Sequence, residues 1–181
     1  MLYFVRHGEA SSSWDQSTDP GLSEKGHAQA AAAANRLDTL TKPVRIYSSP
    51  LARAQETAAP LAEKWGQDVT IIPGIAEIPS GDIPFEERRA WLNTIMASSW
   101  DGQAENLVKW REGILSYLHQ SGENAVFFTH FMVLNTIVGA IEQSNEIMCY
   151  RPDNCSILQV SLETGEPQIM DRGEEATTVV R

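Results

Sequence analysis

The sequence predicts an α/β fold: a three-layer sandwich with a mostly parallel central sheet and helices on both faces. Short apolar runs alternate along the chain with longer segments of helical periodicity, the pattern of successive βαβ units. The 181 residues, 42% hydrophobic and 21% charged, are enough for one domain with a sizeable core. Three segments rich in reactive side chains each follow an apolar run directly. In parallel sheets that is where ligands bind.

The elements follow in order. Leu2–Val5 is a short apolar run at the start and reads as a buried strand that ends at Arg6-His7-Gly8-Glu9. Residues 10–21 are rich in Ser, Asp, Pro and Gly and read as loop. Ser23 is a good N-cap for an alanine-rich helix that runs to Leu40 and stops before Pro43. Val44–Ser48 is the second strand. Ser49-Pro50 reads as an N-cap with proline in the first helical position, and Gly66 as the end of that helix. Val69–Ile72 is a third strand, followed by a loop with glycine and proline breakers around Glu77. Phe85–Met96 and Glu105–His119 have helical spacing. Ala125–Thr129 is a strongly apolar strand that ends at His130. Met132–Ile141 is an apolar helix, and Ser156–Leu162 and Gln168–Met170 are closing strands. Residues 1–170 are expected to form a single domain and 171–181 a frayed tail.

The net charge is −10, from 24 acidic and 14 basic residues. That balance argues against nucleic acid and anionic membrane as partners. It also sets a condition: a phosphorylated substrate needs the few basic residues gathered at its site. Cys149 and Cys155 read as idle or buried thiols rather than a disulfide framework. Met1 leads straight into Leu2-Tyr3-Phe4-Val5 with no basic segment and long apolar run behind it. No apolar stretch reaches the roughly 18 residues of a membrane span. A cytoplasmic chain without a signal peptide is the expectation.

Arg6-His7 at the end of a buried strand, followed by a glycine that permits close approach to the main chain, is the first candidate site. The second is Ser48-Ser49-Pro50-Leu51-Ala52-Arg53, in which Arg53 falls in the first turn of a helix. Cations are disfavoured there by the helix dipole unless an anion is bound. With an anion present, Arg53 and the free N–H groups would face it together. His130 is the third. The four histidines lack the spacing of a metal site, so no metal is implied, and the glycines form no nucleotide fingerprint.

Together, Val5-Arg6-His7-Gly8-Glu9, Leu22-Ser23-Glu24-Lys25-Gly26-His27-Ala28-Gln29-Ala30, Ser48–Ala58, Ala76-Glu77-Ile78 and Thr129-His130 resemble the histidine phosphatase superfamily, in its phosphoglycerate-mutase-like branch. The resemblance implies that His7 is a nucleophile that forms a phosphohistidine. It implies that Arg6, Arg53 and His130 surround the phosphoryl oxygens, and that Glu77 is the proton donor and later the base. Asp82 and Glu86 compete for the Glu77 role. No cofactor is implied, and the partner is a small phosphorylated substrate. The residue types suit the chemistry. Phosphoryl transfer spreads charge over three equatorial oxygens, which planar guanidinium groups can hold bidentately. Neutral imidazole is available as a nucleophile near neutral pH.

The sequence departs from the family pattern at two places. Phe131 stands where the family usually has glycine after the histidine, which adds an apolar wall. Trp14-Asp15 stands in place of Trp-Asn, so no phosphate contact is assigned to Asp15; Ser12 or Ser13 is the substitute. Arg88 and Arg89 fall in a region that covers the site in the family. The leading expectation is a phosphomonoesterase of the histidine acid type. A phosphomutase of the phosphoglycerate mutase type is the second reading, disfavoured by the short segment between Glu77 and Glu105. A protein phosphohistidine phosphatase is the third, disfavoured by the presence of an acid. A non-catalytic phospho-ligand binder is the fourth, since binding alone needs no nucleophile.

Overall fold

The computed structural model describes residues 1–12, 17, 19–120 and 124–176, and the side chains of all these except 119 and 120. Ser13, Trp14 and Asp15, the side chain of His119 and residues 177–181 lie outside the described residues. One six-stranded sheet runs through the domain. Its strands are β1 (Leu2–Arg6), β2 (Arg45–Ser48), β3 (Val69–Ile71), β4 (Ala125–Thr129), β5 (Ile157–Ser161) and β6 (Gln168–Asp171), in the spatial order β3-β2-β4-β1-β5-β6. The β2–β3, β2–β4 and β1–β4 pairs are parallel, and β5 and β6 close the sheet as antiparallel strands. The expected sandwich with a mostly parallel sheet is what forms.

The alternation of side chains across β1 and β4 creates both cores at once. Leu2, Phe4, Ala125 and Phe127 point to one face, where they meet Ile114 and Leu118 of α4 (Glu105–Gln120) and Val133, Leu134, Ile137 and Val138 of α5 (Phe131–Ile141). Phe4, Phe127 and Tyr47 stack across three strands on this face, with 4.9 Å between successive ring centroids. Tyr3, Val5, Val126 and Phe128 point to the other face, against Ala34 and Leu37 of α1 (Glu24–Leu40) and Ala58 and Leu61 of α2 (Ala52–Trp65). In α1 the buried residues Gly26, Ala30, Ala33, Ala34 and Leu37 form one small-residue stripe, which explains the alanine run. A third, smaller core joins Trp100, Ile95 of α3 (Arg88–Met96) and Leu107 to Ile78, Phe131 and Met132.

The structure departs from the expected elements in three places. Ser49-Pro50 does not begin a helix: α2 starts at Ala52, with extended Leu51 as its N-cap. The hydroxyl of Ser49 instead accepts from the Leu51 N–H at 3.2 Å, and the Asp19 carboxylate accepts from the Ala52 N–H at 2.8 Å. Phe85–Met96 is a single 3-10 turn, Phe85–Glu87, followed by α3. The stretch expected to fray from Asp171 is anchored as far as Ala176: Ala176 N–H donates to the Arg151 carbonyl, and the Glu174 carbonyl accepts from Asp153 N–H.

The start of α1 is locked to the loop after β1. Ser23 caps the helix by accepting from Gly26 N–H. It also binds Glu9, through its main-chain N–H at 2.9 Å and its hydroxyl at 2.9 Å. Here the backbones of Gly8, Glu9 and Gly26 touch. A Cβ on Gly26 would lie 2.1 Å from the Glu9 carbonyl oxygen, and one on Gly8 would lie 2.7 Å from that of Gly26. Neither obstacle is a side chain that can swing away. The Leu22–Gly26 motif is therefore a brace for the loop that carries His7. Replacing Gly26 with alanine should destabilise the protein by about 1–3 kcal/mol, the usual range for overpacking, read as a lower denaturant midpoint at unchanged m-value. An unchanged midpoint would show that the two segments are free to separate.

Candidate active site

Three parallel strands deliver the candidate residues to one place. The register pairs Arg6 with Thr129, and His7 N–H continues the ladder to the Thr129 carbonyl at 2.9 Å. Ser49 N–H does the same from the other side, to the Phe128 carbonyl at 2.9 Å. The residues that leave β1, β2 and β4 therefore emerge at one level. His7 and His130 end with ring centroids 5.2 Å apart, edge to face.

Arg53 reaches this point from the first turn of α2. Its Nε–H donates to His7 Nε2 at 3.1 Å. His7 Nδ1 sits 2.7 Å from the Gly8 carbonyl. A carbonyl can only accept, so the ring proton is on Nδ1 and the lone pair is on Nε2. Both His7 and Arg53 are buried. The sequence-derived idea of an anion facing Arg53 together with the free N–H groups of this helix needs correcting, because Asp19 already occupies the Ala52 N–H. Asp19 also stands 4.0 Å from Arg53 Nη1.

Arg6 is held from the far edge of the sheet. Its Nη1–H donates to the Pro152 carbonyl at 2.8 Å, and its guanidinium lies 5.2 Å from the centre of the Phe131 ring. The residue that replaces the family glycine thus becomes a cation–π platform under Arg6. Loop 152–155 braces the same segment, with Asn154 Nδ2–H donating to the His7 carbonyl at 3.1 Å and Cys155 N–H to the Arg6 carbonyl at 3.1 Å. Cys149 and Cys155 are free thiols, and burial pushes the Cys155 thiol up to about 12.

Glu77 is anchored by two main-chain donors. Its Oε1 accepts from Ile78 N–H at 3.0 Å and from Met132 N–H, at the start of α5, at 3.2 Å. The side chain of Thr129 secures this loop by donating to the Ile75 carbonyl. Loss of hydration nevertheless raises the Glu77 pKa above the ordinary carboxylate range; the two N–H groups, Arg53 and Arg6 oppose this without cancelling it. The competitors Asp82 and Glu86 are exposed, and neither is among the charges that act on Arg6 or Arg53. Arg88 is committed elsewhere, donating to the Ile83 carbonyl and lying over Phe85. Arg89 and His27 are exposed.

Five buried polar side-chain atoms of the described residues have no hydrogen-bond partner: Arg111 Nε, Tyr150 Oη and three on the candidate residues. The three are Arg6 Nε, Arg53 Nη1 and His130 Nδ1. Buried donors are rarely left unpaired. All three belong to side chains that the sequence nominates for one anion. Burial, then Arg53 and Arg6, holds His7 well below its ordinary pKa. Burial, then His7 and the two arginines, does the same for His130. Both imidazoles are neutral at neutral pH.

Asp19 and Asn154 escaped the sequence analysis, and Ser49 and Thr57 fell within its motifs without an assigned contact at the site. Thr57 donates to the Arg53 carbonyl and accepts from Gly8 N–H, so it ties the loop of His7 to the helix of Arg53. It lies one helical turn beyond Arg53 on the buried stripe, and that spacing was the available signal. Asp19 and Asn154 act across the fold, where no local pattern marks them.

Set beside known proteins, the chain matches the sequence model of the histidine phosphatase superfamily (branch 1) over residues 2–174. It is 29% identical over 188 residues to the probable phosphoglycerate mutase GpmB of Cronobacter sakazakii, covering 90% of this chain and 85% of that one. Against one long protein of Mycobacterium tuberculosis, the chain spans only 18% of the relative's length. Mycobacterial glucosyl-3-phosphoglycerate phosphatase superposes with a TM-score of 0.72 at 22% identity, covering 97% of this chain and 98% of that one. Phosphoserine phosphatase from Entamoeba histolytica, in complex with 3-phosphoglyceric acid, superposes with a TM-score of 0.71 at 22% identity and covers 96% of each chain. These structures share the fold.

The neutral histidines have a consequence for stability. Below the ordinary histidine pKa of 6.5 the unfolded chain binds protons at His7 and His130 that the folded state refuses. At these two sites the unfolded state then holds more protons, which lowers stability as the pH falls, while the raised pKa of Glu77 acts in the opposite sense. From about pH 7.5 to about pH 5.5, across the ordinary histidine range, the urea midpoint of the parent should fall relative to that of His130→Gln. Equal pH slopes for the two proteins would show that His130 is not buried neutral.

Proposed function

The chain belongs to the histidine phosphatase superfamily, branch 1, and on that premise we propose that it hydrolyses phosphomonoesters of small molecules through a phosphohistidine on His7. The observation that carries the proposal is the state of His7. Its proton is fixed on Nδ1 by the Gly8 carbonyl, so that Nε2 presents its lone pair beside Arg53.

In the first step His7 Nε2 bonds to phosphorus and the bond from phosphorus to the ester oxygen breaks. Arg6, Arg53 and the Nδ1–H of His130 receive the non-bridging oxygens, using the donors that lack partners. Arg53 Nε exchanges its contact with His7 for one with the phosphoryl group. Glu77, whose protonated form burial favours, gives its proton to the departing oxygen. In the second step water attacks phosphorus, the P–N bond breaks, and Glu77 takes the proton from the water. Imidazole recovers its lone pair, and inorganic phosphate leaves. Splitting one displacement into two easier ones is what the covalent intermediate contributes.

A mutase would instead return the phosphoryl group from His7 to a second hydroxyl of the substrate; the GpmB relative is named a probable phosphoglycerate mutase. Hydrolysis is favoured here by the segment between Glu77 and α4. It holds one 3-10 turn and the nine-residue α3, and Arg88 within it faces Phe85 and Ile83. The solved relatives named as phosphatases for glucosyl-3-phosphoglycerate and phosphoserine support small phosphorylated metabolites as the substrate class. Glu77 favours an ester substrate over a protein phosphohistidine, whose leaving nitrogen needs less help.

Leaving-group chemistry tests these roles. His7→Ala should reduce turnover to background. Glu77→Gln should lower kcat/KM, which reports formation of the phosphohistidine and not its hydrolysis, about 100- to 10,000-fold on an alkyl phosphate, the usual contribution of a positioned acid. On an aryl phosphate with an acidic phenol the same variant should lose far less, because that leaving group departs unprotonated. Equal losses on both substrates would remove Glu77 from the acid role.

A further inference from the structure

His130 must present a donor to an anion, yet it is neutral. A neutral imidazole has one N–H and one lone pair, so its usefulness depends on which nitrogen holds the proton. His130 Nδ1 is buried and has no partner. Its Nε2 lies 2.7 Å from the Ser49 hydroxyl oxygen. Both residues are fully buried, so water is not at hand to rearrange this contact.

The Ser49 hydroxyl is itself constrained. Its oxygen accepts from Leu51 N–H at 3.2 Å, and among the described residues no other acceptor receives its single hydrogen. If His130 carried its proton on Nε2, that N–H would point at the oxygen and leave the buried serine hydrogen with nowhere to go. An unsatisfied buried donor costs about 1–3 kcal/mol. With the ring proton on Nδ1 the serine is satisfied, since Leu51 N–H donates to the hydroxyl and the hydroxyl donates to Nε2, and the one donor left open, Nδ1–H, is the one that a bound anion fills.

We propose that Ser49 is a positioning residue that sets the tautomer of His130, through the relay Leu51 N–H to Ser49 O–H to His130 Nε2, so that Nδ1–H faces the phosphoryl group. This deepens the phosphatase reading and rests on it for the identity of the anion. The relay also explains why α2 begins late: Ser49 spends its hydroxyl on His130 and Leu51 rather than on a helix cap. His7 and His130 then both carry Nδ1–H, fixed by different partners and used in opposite ways. In His7 the free lone pair on Nε2 is the reactive feature; in His130 it is the N–H.

Nitrogen-15 NMR of the full chain labelled at histidine tests this directly. The His130 resonances, assigned by their loss in His130→Gln, should show a protonated Nδ1 and an unprotonated Nε2. A protonated Nε2 in the unmodified protein overturns the proposal without recourse to any variant. In Ser49→Ala the proton should redistribute towards Nε2 while the His7 pattern stays unchanged. The inhibition constant for inorganic phosphate should rise about tenfold or more, the cost of one hydrogen bond to a charged group. Ser49→Thr keeps the O–H and should restore the Nδ1–H pattern. Loss of phosphate affinity in Ser49→Ala with an unaltered His130 tautomer would assign serine a merely structural role and overturn the proposal. If the tautomer is as stated but His7→Ala retains full turnover, the relay stands and the catalytic reading falls.

Discussion

The parallel pairing of β1 with β4 is the constraint on which everything else depends. Arg6 lies opposite Thr129, so the two strands end at one level and their next residues, His7 and His130, become neighbours. A slip of one residue would exchange the faces of every side chain on β1. Leu2 and Phe4 would trade cores with Tyr3 and Val5, and His7 would move out of step with His130. Register is secured by burial on both faces, including the stacked Phe4, Phe127 and Tyr47. The energy of the core is thereby converted into the position of two imidazoles.

Charge is managed by the same economy. A protein with net charge −10 places two arginines and two neutral histidines around a single point, with Glu77 nearby but tied to main-chain N–H groups. Interactions in so enclosed a place are stronger than at the surface. Burial suppresses the charge of both imidazoles and favours the protonated form of Glu77. Burial thus acts on His7 and Glu77 in the direction that the proposed roles of nucleophile and acid require.

Much of this was legible in the sequence, for physical reasons. Strands β1 and β4 are buried on both faces and read as unbroken apolar runs. Helix α1 announces itself by its cap at Ser23 and its alanine stripe. Arg6, His7, Arg53 and His130 were recognisable because each follows a strand or opens a helix in a motif of specific order. The start of α2 was misread because Ser49-Pro50 has the local chemistry of a cap. Its hydroxyl is claimed by His130, 81 residues away, and long-range competition of that kind leaves no local trace. Asp19 and Asn154 were invisible for the same reason. The part of the expected tail up to Ala176 was misjudged because polar composition says nothing of the pairing between residues 174–176 and residues 151–153.

The central claim is that His7 Nε2 becomes bonded to phosphorus. Rapid acid-free quenching of the enzyme during turnover of an aryl phosphate, followed by peptide mass spectrometry and phosphorus-31 NMR, tests it most directly. The account predicts one phosphoryl group per chain on the His7 peptide, attached at Nε2, formed and consumed at rates that match turnover. Steady turnover with no phosphate on His7, or with phosphate on a different residue, would contradict it.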